Sequence, residues 1–132
     1  MKKIVLINQS SGYLAIDIAN VFVMHYDRVV LIAGIIKPLE RELNPLIKIQ
    51  KIIKYNRTSN FKRIFTWIWG SLQIFFLLLF KYRDFEVFYT TNPPMACFSS
   101  MLKRNRFSIL IYDIYPDALK NIGINEKNVI YK

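Results

Sequence analysis

Along this chain, short continuous apolar runs alternate with stretches in which apolar residues recur at helical spacing. Such runs, bounded by polar residues, are typical of strands that are buried on both faces of a parallel sheet. The predicted strands are Lys3 to Asn8, Arg28 to Ala33, Phe85 to Tyr89 and Phe107 to Tyr112. Their alternation with helices predicts the α/β fold class, with a Rossmann-like, open and mostly parallel sheet flanked by helices.

The first predicted helix runs from Tyr13 to His25 and follows the turn Gln9 to Gly12. Its apolar face is expected to hold Leu14, Ile18, Val21 and Phe22. His25, near the helix end, is expected to be a core or capping residue. The turn has one glycine and lacks the G-x-G-x-x-G spacing of dinucleotide-binding turns. Two interpretations stay open, a tight βα turn or a contact to phosphate, because a helix amino terminus favours anions.

The stretch from Leu46 to Tyr55 fits two patterns. Alternating apolar and polar residues around Ile47 and Ile49 indicate a strand, whereas the spacing of its isoleucines and lysines also suits a basic amphipathic helix. We predict a strand, because a polar loop follows directly at residues 56–60.

The stretch from Phe61 to Arg83 is uncharged between Ile64 and Phe80 and has three interpretations. It could be a helix buried in the domain, or a membrane span, although about 26 Å is near the lower limit for a hydrocarbon core of about 30 Å. The third interpretation, which we favour, is a helix that packs on the sheet by one face and enters a membrane interface by the other. The predicted membrane contacts are Trp67, Trp69, Phe76, Phe80, Lys62, Arg63, Lys81 and Arg83.

Composition adds a partner class and a compartment. The 132 residues fit one domain, and 19 Lys and Arg against 9 Asp and Glu give a net charge of +10, which predicts an anionic membrane surface or another polyanionic partner. Nucleic acid is not predicted, because the aromatic residues lie in apolar runs rather than between basic residues. Cys97, the only cysteine, is expected in the core, and no metal site is predicted. The apolar run after Met1 is too short for a signal peptide, so we predict a cytoplasmic location.

Most of the candidate chemistry lies between Phe85 and Ile124, which is predicted to fold as strand, tight turn, helix, strand, acidic turn and helix. The double proline after Asn92 ends the first strand, and Met95 to Leu102 is the predicted short helix. Parallel strands open their carboxyl ends on one edge of the sheet, where ligands of open α/β sheets bind. We therefore expect Thr91-Asn92 and the acidic turn Asp113 to Asp117 to lie side by side at a cleft.

Two segments of this stretch carry a family resemblance. They are Thr91-Asn92-Pro93-Pro94 and Tyr112-Asp113-Ile114-Tyr115-Pro116-Asp117, the second followed by Leu119 and Ile122-Gly123. Together they resemble the amino-terminal domain of bacterial family 4 glycosyltransferases, enzymes of the GT-B fold that build cell-surface polysaccharides. In element order the resemblance covers nearly the whole chain.

The resemblance implies the acceptor-binding half of a retaining glycosyltransferase, which moves a sugar from a nucleotide-sugar donor to a lipid-linked glycan at the inner face of the cytoplasmic membrane. It implies no metal and no cofactor besides the donor substrate. Residues 1–132 are expected to form one Rossmann-like amino-terminal domain that is inactive alone, because the family binds its donor in a carboxyl-terminal domain that this sequence does not contain. The alternative is a non-catalytic, membrane-attached subunit that recruits a separate donor-binding chain.

The candidate site residues are polar groups at strand ends. Asp113 and Asp117 are predicted to be catalytic, because either could bind an acceptor hydroxyl or act as a base, although Asp117 also suits helix capping. Asn92 is predicted to bind substrate, with helix capping as its alternative role. The other predicted substrate-binding residues are Ser10, Ser11, Gly12 and Tyr115. The cleft histidine that many family 4 enzymes use has no evident match in this sequence.

Overall fold

The structure is a computed structural model that describes residues 1–38, 40–101 and 105–111. Its elements are β1 (Lys3–Ile7), β2 (Ser10–Ser11), α1 (Tyr13–Val23), β3 (Arg28–Ala33), β4 (Ile35–Ile36), β5 (Lys48–Lys51), α2 (Asn60–Phe80), β6 (Glu86–Thr90), α3 (Phe98–Met101) and β7 (Phe107–Leu110). The acidic turn and the helix predicted between residues 112 and 132 lie outside the described residues.

The main sheet has five strands in the order β5-β3-β1-β6-β7, and all neighbours are parallel. β1 lies at its centre, where Ile4 pairs with Val29 on one side and with Glu86 on the other. This architecture confirms the predicted α/β class, a Rossmann-like open sheet flanked by helices. The ambiguous stretch around residues 46–55 is a strand, as predicted, because β5 pairs with β3 at the edge of the sheet.

The two faces of the sheet are covered by different helices. β1 is buried on both faces, which explains its continuous apolar sequence. Val5 packs in the cluster beneath α2, and the next residue, Leu6, packs in the cluster beneath α1. The alternation of side chains along a strand thus assigns α1 and α2 to opposite faces.

α1 meets the sheet through a face that overlaps the predicted one only in part, since Ile18 and Phe22 pack against the cluster beneath it. Its buried residues are Ala15, Ile16 and Ala19. Among the four residues predicted to be buried, the exposed ones are Leu14 and Val21, and the half-buried ones are Ile18 and Phe22. Alanine lets the helix backbone approach the strands closely, so small residues mark the inner face. His25 lies beyond the helix end and is exposed, so the prediction of a core role was wrong.

α2 begins after Ser59, whose hydroxyl accepts a hydrogen bond from the Lys62 amide at 3.2 Å. Its buried residues recur at every fourth position and form one narrow inner face against the sheet: Thr66, Gly70, Ile74 and Leu78. Many of its other apolar side chains are exposed. The interpretation of this stretch as a wholly buried helix is therefore wrong.

The segment after β6 contains a shorter helix than predicted. α3 covers Phe98–Met101, whereas the predicted helix ran from Met95 to Leu102. Before α3 the chain forms tight turns, in which the Ala96 amide donates to the Pro93 carbonyl oxygen at 3.1 Å. Cys97 is half-buried and packs against the cluster beneath α2, which agrees with its predicted place in the core.

Candidate functional site

The carboxyl edge of the sheet has a switch point between β1 and β6. From β1 the chain passes through α1 to β3 on one side, and from β6 it passes through α3 to β7 on the other. Open α/β sheets bind ligands where the strand order reverses in this way. The turns after the two strands meet there, since the Gln9 amide donates to the Asn92 carbonyl oxygen at 2.9 Å. The structure thus brings two predicted groups, the turn Ser10 to Gly12 and Asn92, to one edge.

The turn after β1 is held by its own hydrogen bonds. The Ser11 hydroxyl donates to the Asn8 carbonyl oxygen at 2.9 Å, and the Ser10 amide donates to the Asn8 side-chain oxygen at 3.2 Å. Ser11 is buried, so its hydroxyl stabilises the turn rather than facing solvent. Ser10 is half-buried and is the serine of the pair with a partly accessible side chain.

Two glycines at this edge have opposite surroundings. A Cβ at Gly34 would lie 2.9 Å from the Gln9 carbonyl oxygen and would also overlap the Ile53 carbonyl oxygen, so three turns meet where only glycine fits. A Cβ at Gly12 would have no atom within 4 Å. Gly12 is the N-cap of α1 and makes no side-chain hydrogen bond there. Packing therefore requires glycine at position 34 and leaves position 12 unconstrained.

Gln9 is a central residue of this edge that sequence reasoning missed. It is fully buried, and its side-chain nitrogen donates to the carbonyl oxygens of Ile53 (3.1 Å) and Thr66 (2.9 Å). A Cβ at Gly70 would lie 2.6 Å from that nitrogen, so α2 has a glycine where it covers Gln9. The available signal was a glutamine directly after an apolar strand together with a lone glycine in an apolar helix. Gln9 thus joins the turn after β1 to the amino-terminal half of α2.

Asn92 has an unused hydrogen-bond acceptor. Its side-chain oxygen is buried and has no partner among the described residues. It does not cap a helix, because α3 begins only at Phe98, so the capping alternative is wrong. The Thr90 hydroxyl donates to the Ile7 carbonyl oxygen at 2.9 Å and ties β6 to β1 just before the turns. Asn92 thus lies at the switch point with a shielded side-chain oxygen that has no hydrogen-bond partner among the described residues.

Behind this edge, the hydroxyl groups of Tyr89 and Ser100 lie 2.7 Å apart and share a hydrogen bond. Both residues are buried, and burial raises the pKa of Tyr89 to about 12. The phenol is therefore protonated at neutral pH. Its bond to Ser100 joins α3 to β6.

Opposite its inner face, α2 presents an exposed apolar surface, which we call the outer face. Its members are Phe61, Ile64, Phe65, Ile68, Trp69, Leu72, Phe76 and Phe80. Phe65 stacks on Trp69, and Phe76 stacks on Phe80, with nearly parallel rings. By length and composition alone α2 could cross a membrane, and 22% of its most apolar window is buried in the domain. Three predicted membrane contacts, Trp69, Phe76 and Phe80, therefore lie together on the outer face.

The other predicted membrane contacts are divided. Trp67 is half-buried and stacks on Tyr55, with 5.6 Å between the ring centroids. The guanidinium of Arg57 lies 5.1 Å from the centroid of the Tyr55 ring. Trp67 is thus a packing residue rather than part of the outer face. At the two ends of α2, the exposed basic residues are Lys62, Lys81 and Arg83, and the half-buried one is Arg63.

The predicted catalytic residues Asp113 and Asp117, together with Tyr115, lie outside the described residues. Their place at the cleft therefore stays a prediction. In the described ranges, 1–38, 40–101 and 105–111, no three His, Cys, Asp or Glu side chains are grouped so that they could hold a metal ion.

No protein-family model matches the chain, and no curated protein matches it in sequence. Among solved structures, it is similar to the C-terminal domain of a hydrogenase from Pyrococcus furiosus, with a TM-score of 0.52 and 14% sequence identity. The match covers 83% of this chain and 92% of the hydrogenase domain. At this identity the likeness is one of fold and supports the Rossmann-like α/β architecture.

Proposed function

We propose that this chain is the acceptor-side half of a retaining, GT-B-fold glycosyltransferase that moves a sugar from a nucleotide sugar to a lipid-linked glycan in cell-surface polysaccharide synthesis. The observation that carries the proposal is that the turns after β1 and β6 meet at one edge of the sheet. This meeting point lies against the amino-terminal half of α2, where Gln9 contacts Thr66, and α2 has an apolar outer face. A lipid-linked glycan has a polar and an apolar part, so a protein that binds it needs a polar and an apolar surface side by side. The segment Thr91 to Pro94, which carries part of the family resemblance, follows β6 at this point.

In this proposal the described residues orient the acceptor. The Asn92 side-chain oxygen accepts a hydrogen bond from an acceptor hydroxyl, and Ser10 contacts the same glycan. A hydroxyl that is held in the direction of attack reacts without the entropic cost of finding that orientation. Asp113 and Asp117 assist as hydrogen-bond acceptors or base, and Tyr115 contacts the acceptor.

The donor's leaving phosphate needs positive charge or hydrogen-bond donors that stabilise it as the glycosidic bond to it breaks. We assign this task to a donor-binding domain, either later in the same polypeptide or in a separate chain. The half described here supplies no metal and no cofactor in this proposal. The transferred sugar therefore reacts between the two halves, and the isolated 132 residues turn over no nucleotide sugar.

Attachment to the inner face of the cytoplasmic membrane is the second part of the proposal. The stacked aromatic rings of the outer face suit the interface between headgroups and acyl chains. The exposed Lys62, Lys81 and Arg83 suit anionic headgroups, each contributing about 1 kcal/mol near the surface. In this proposal, attachment through the outer face brings the switch point near the membrane that contains the acceptor.

The test uses membranes from the source cells, with the gene deleted and then restored. We expect the restored gene to increase transfer of radiolabel from nucleotide sugars into the organic-solvent lipid fraction. Asn92→Ala should lower this transfer roughly tenfold, because a hydrogen bond to the acceptor is lost. The matched control is Asn60→Ala, an exposed asparagine at the start of α2, which should transfer normally. Equal labelling with and without the gene would contradict the proposal.

The intact mass of the protein in its own cells distinguishes a single-chain enzyme from the alternative, a non-catalytic subunit. A mass of roughly double 15.7 kDa or more would indicate one chain that carries both halves. A mass near 15.7 kDa, together with a co-purifying donor-binding chain, would indicate a recruiting subunit. The two outcomes assign the same acceptor side to these residues and differ in where the donor site lies.

A further inference from the structure

A polar pocket of about 380 Å³ lies on the face of the sheet that α1 covers. It is formed by the start of β1, the end of α1 with the loop that follows, and the beginnings of β6 and β7. The side chains that give the pocket its chemistry are Phe22, Tyr26, Glu86, Phe88 and Arg106. The switch point lies at the opposite, carboxyl edge of the sheet, so this pocket is separate from the site assigned to the acceptor.

The negative group of the pocket is the carboxylate of Glu86, which is half-buried in the pocket wall. The Tyr26 hydroxyl donates to one of its oxygens at 2.8 Å, and this hydrogen bond raises the pKa of Tyr26, so the phenol stays protonated at neutral pH. Within the described residues, the second oxygen accepts no hydrogen bond and Glu86 belongs to no ion pair. Since buried charges are normally paired, this carboxylate is suited to a cationic ligand.

Two cations on nearby strands, Lys3 of β1 and Arg28 of β3, lie on the other face of the sheet. Lys3 forms an ion pair with Asp84, and the guanidinium of Arg28 lies 5.8 Å from the centroid of the Phe85 ring. Phe85 belongs to the cluster beneath α2. Because side chains alternate between the two faces along a strand, these cations serve the α2 side and leave Glu86 on the α1 side.

Three aromatic rings lie beside this carboxylate. Phe22 contacts Tyr26 and Phe88 edge to face, with 5.6 Å and 5.2 Å between the ring centroids. All three side chains are half-buried and line the pocket, so part of each ring is open to a ligand. A methylated ammonium group matches both kinds of neighbour, since its charge suits the carboxylate and its methyl groups suit the ring faces.

A guanidinium also lines the pocket. Val87 pairs with Phe107 and belongs to the cluster beneath α2, so the residues before them, Glu86 and Arg106, lie side by side on the α1 face. Arg106 is exposed and forms no ion pair with any carboxylate in the described part of the chain. A guanidinium presents parallel donors that bind a carboxylate in a bidentate manner. The pocket thus offers a negative and a positive group to one ligand.

We infer that the pocket binds a betaine, that is, a small zwitterion in which a methylated ammonium group is joined by a short chain to a carboxylate. The ammonium group lies against Glu86 and the rings of Phe22 and Phe88, and the carboxylate binds Arg106. Tyr26 is a positioning residue, because its hydroxyl holds the Glu86 carboxylate. The inference goes beyond the proposed function and does not depend on it, since it concerns the opposite edge of the sheet.

The first experiment measures binding to the purified chain by titration calorimetry, with γ-butyrobetaine as the probe. Tetramethylammonium and butyrate represent its two halves, and 4-aminobutyrate is the same zwitterion without the methyl groups. We expect γ-butyrobetaine to bind roughly tenfold more tightly than either half and about fivefold more tightly than 4-aminobutyrate. Absence of binding, or equal binding of γ-butyrobetaine and tetramethylammonium, would overturn the inference. Equal binding of the two zwitterions would overturn the methylated class.

Two variants that each remove one charge separate the two ends of the ligand. Glu86→Gln keeps a hydrogen-bond acceptor for Tyr26 and should weaken binding of γ-butyrobetaine and tetramethylammonium roughly tenfold, without weakening that of butyrate. Arg106→Gln should weaken binding of γ-butyrobetaine and butyrate by a similar factor, without weakening that of tetramethylammonium. Glu42→Gln and Arg83→Gln, which change exposed residues elsewhere, are the matched controls and should bind all four ligands normally.

The pattern of losses across the ligands decides the inference. If both pocket variants bind γ-butyrobetaine as tightly as the wild-type chain does, the ligand lies elsewhere and the inference is wrong. If Glu86 and Arg106 instead pair with each other in solution, the wild-type chain binds none of the four ligands, and the inference is again wrong. A variant that fails to fold leaves the comparison of ligands on the wild-type chain, which needs no substitution and decides the inference by itself.

Discussion

The inner and outer faces of α2 are both apolar, but they differ in the size and surroundings of their side chains. The inner face consists of Thr66, Gly70, Ile74 and Leu78, which are buried against the sheet. The outer face carries four phenylalanines and a tryptophan, of which Phe80 is 75% exposed. In a helix that meets only water on its far side, the larger apolar residues would be expected inside.

The two faces of α2 are therefore apolar in two different environments, one buried and one exposed. The inner residues are small where Gln9 lies beneath the helix and aliphatic where the helix covers the core. The outer residues keep about half or more of their side-chain surface exposed, so folding of the described domain accounts for only part of their apolarity. The membrane attachment that we propose would explain it, since aromatic rings at an interface are stable without a protein partner.

The sharpest test of the comparison uses two positions that lie two residues apart. Ile74→Ala removes a fully buried side chain and should lower the free energy of unfolding by about 3 kcal/mol, because it leaves a cavity in the core. Phe76→Ala removes a larger but half-exposed side chain and should cost less than about 1 kcal/mol. Urea unfolding measures both. Similar losses for the two variants would mean that the faces do not differ as described.

A second test concerns the glycine of the inner face. Gly70→Ala places a methyl group 2.6 Å from the Gln9 side-chain nitrogen and should destabilise the chain by about 2 kcal/mol. In the double variant with Gln9→Ala the space is free, so the two changes together should cost at least about 1 kcal/mol less than their sum. Gly12→Ala, whose Cβ meets no atom, is the control and should be nearly neutral. Simple additivity would show that Gln9 and Gly70 are not in contact.

A third test asks whether water is excluded from the core beneath α2, in contrast to the solvent-exposed outer face. The pKa of Tyr89 is about 12 in the folded state and about 10 in an unfolded chain. The folded state therefore holds the phenol proton more tightly, and this stabilisation is complete below pH 10 and is lost as the pH rises toward 12. At pH 11 the loss should be about 1.4 kcal/mol relative to pH 8.

The measurement compares urea unfolding of the wild-type chain and of Tyr89→Phe at pH 8 and pH 11. The variant lacks this titration, so the difference between the two proteins should shrink by that amount at the higher pH. Tyr13→Phe, which changes an exposed tyrosine, is the matched control for the loss of a phenol hydroxyl. A constant difference between wild type and Tyr89→Phe would indicate that water reaches the phenol.

Much of the fold could be predicted from sequence because strands buried on both faces have continuous apolar runs. β3 has the predicted bounds, and β1 ends one residue before the predicted end. The inner face of α1 was predicted only in part, because a hydrophobicity pattern gives weight to the exposed Leu14 and Val21, while close packing selects Ala15 and Ala19. Small residues carry little hydrophobic signal, although they determine how near a helix can approach a sheet.

The candidate site was predictable only in its location. Because parallel strands end on one edge of the sheet, the sequence predicted candidate residues in the turn after β1 and at Asn92. The structure brings these two groups together. Gln9 could not be found in this way, because its partners Ile53 and Thr66 are 44 and 57 residues away in sequence. For the same reason the pattern could not separate Trp67 from Trp69. Only the contact with Tyr55 assigns Trp67 to the packed part of the molecule.

Because Trp67 is packed and Trp69 is exposed, the two residues should contribute differently to binding of vesicles that contain anionic lipid. Trp69→Ser combined with Phe76→Ser removes two exposed rings of the outer face and should weaken binding roughly fivefold, because less apolar surface enters the interface. Trp67→Ser alone should change vesicle binding much less, since its ring stacks on Tyr55, and should instead lower stability. Co-sedimentation at low and high salt measures both variants. If Trp67→Ser weakened binding as much as the outer pair, Trp67 would belong to the membrane contact and the outer face would extend around α2 to the Tyr55 loop.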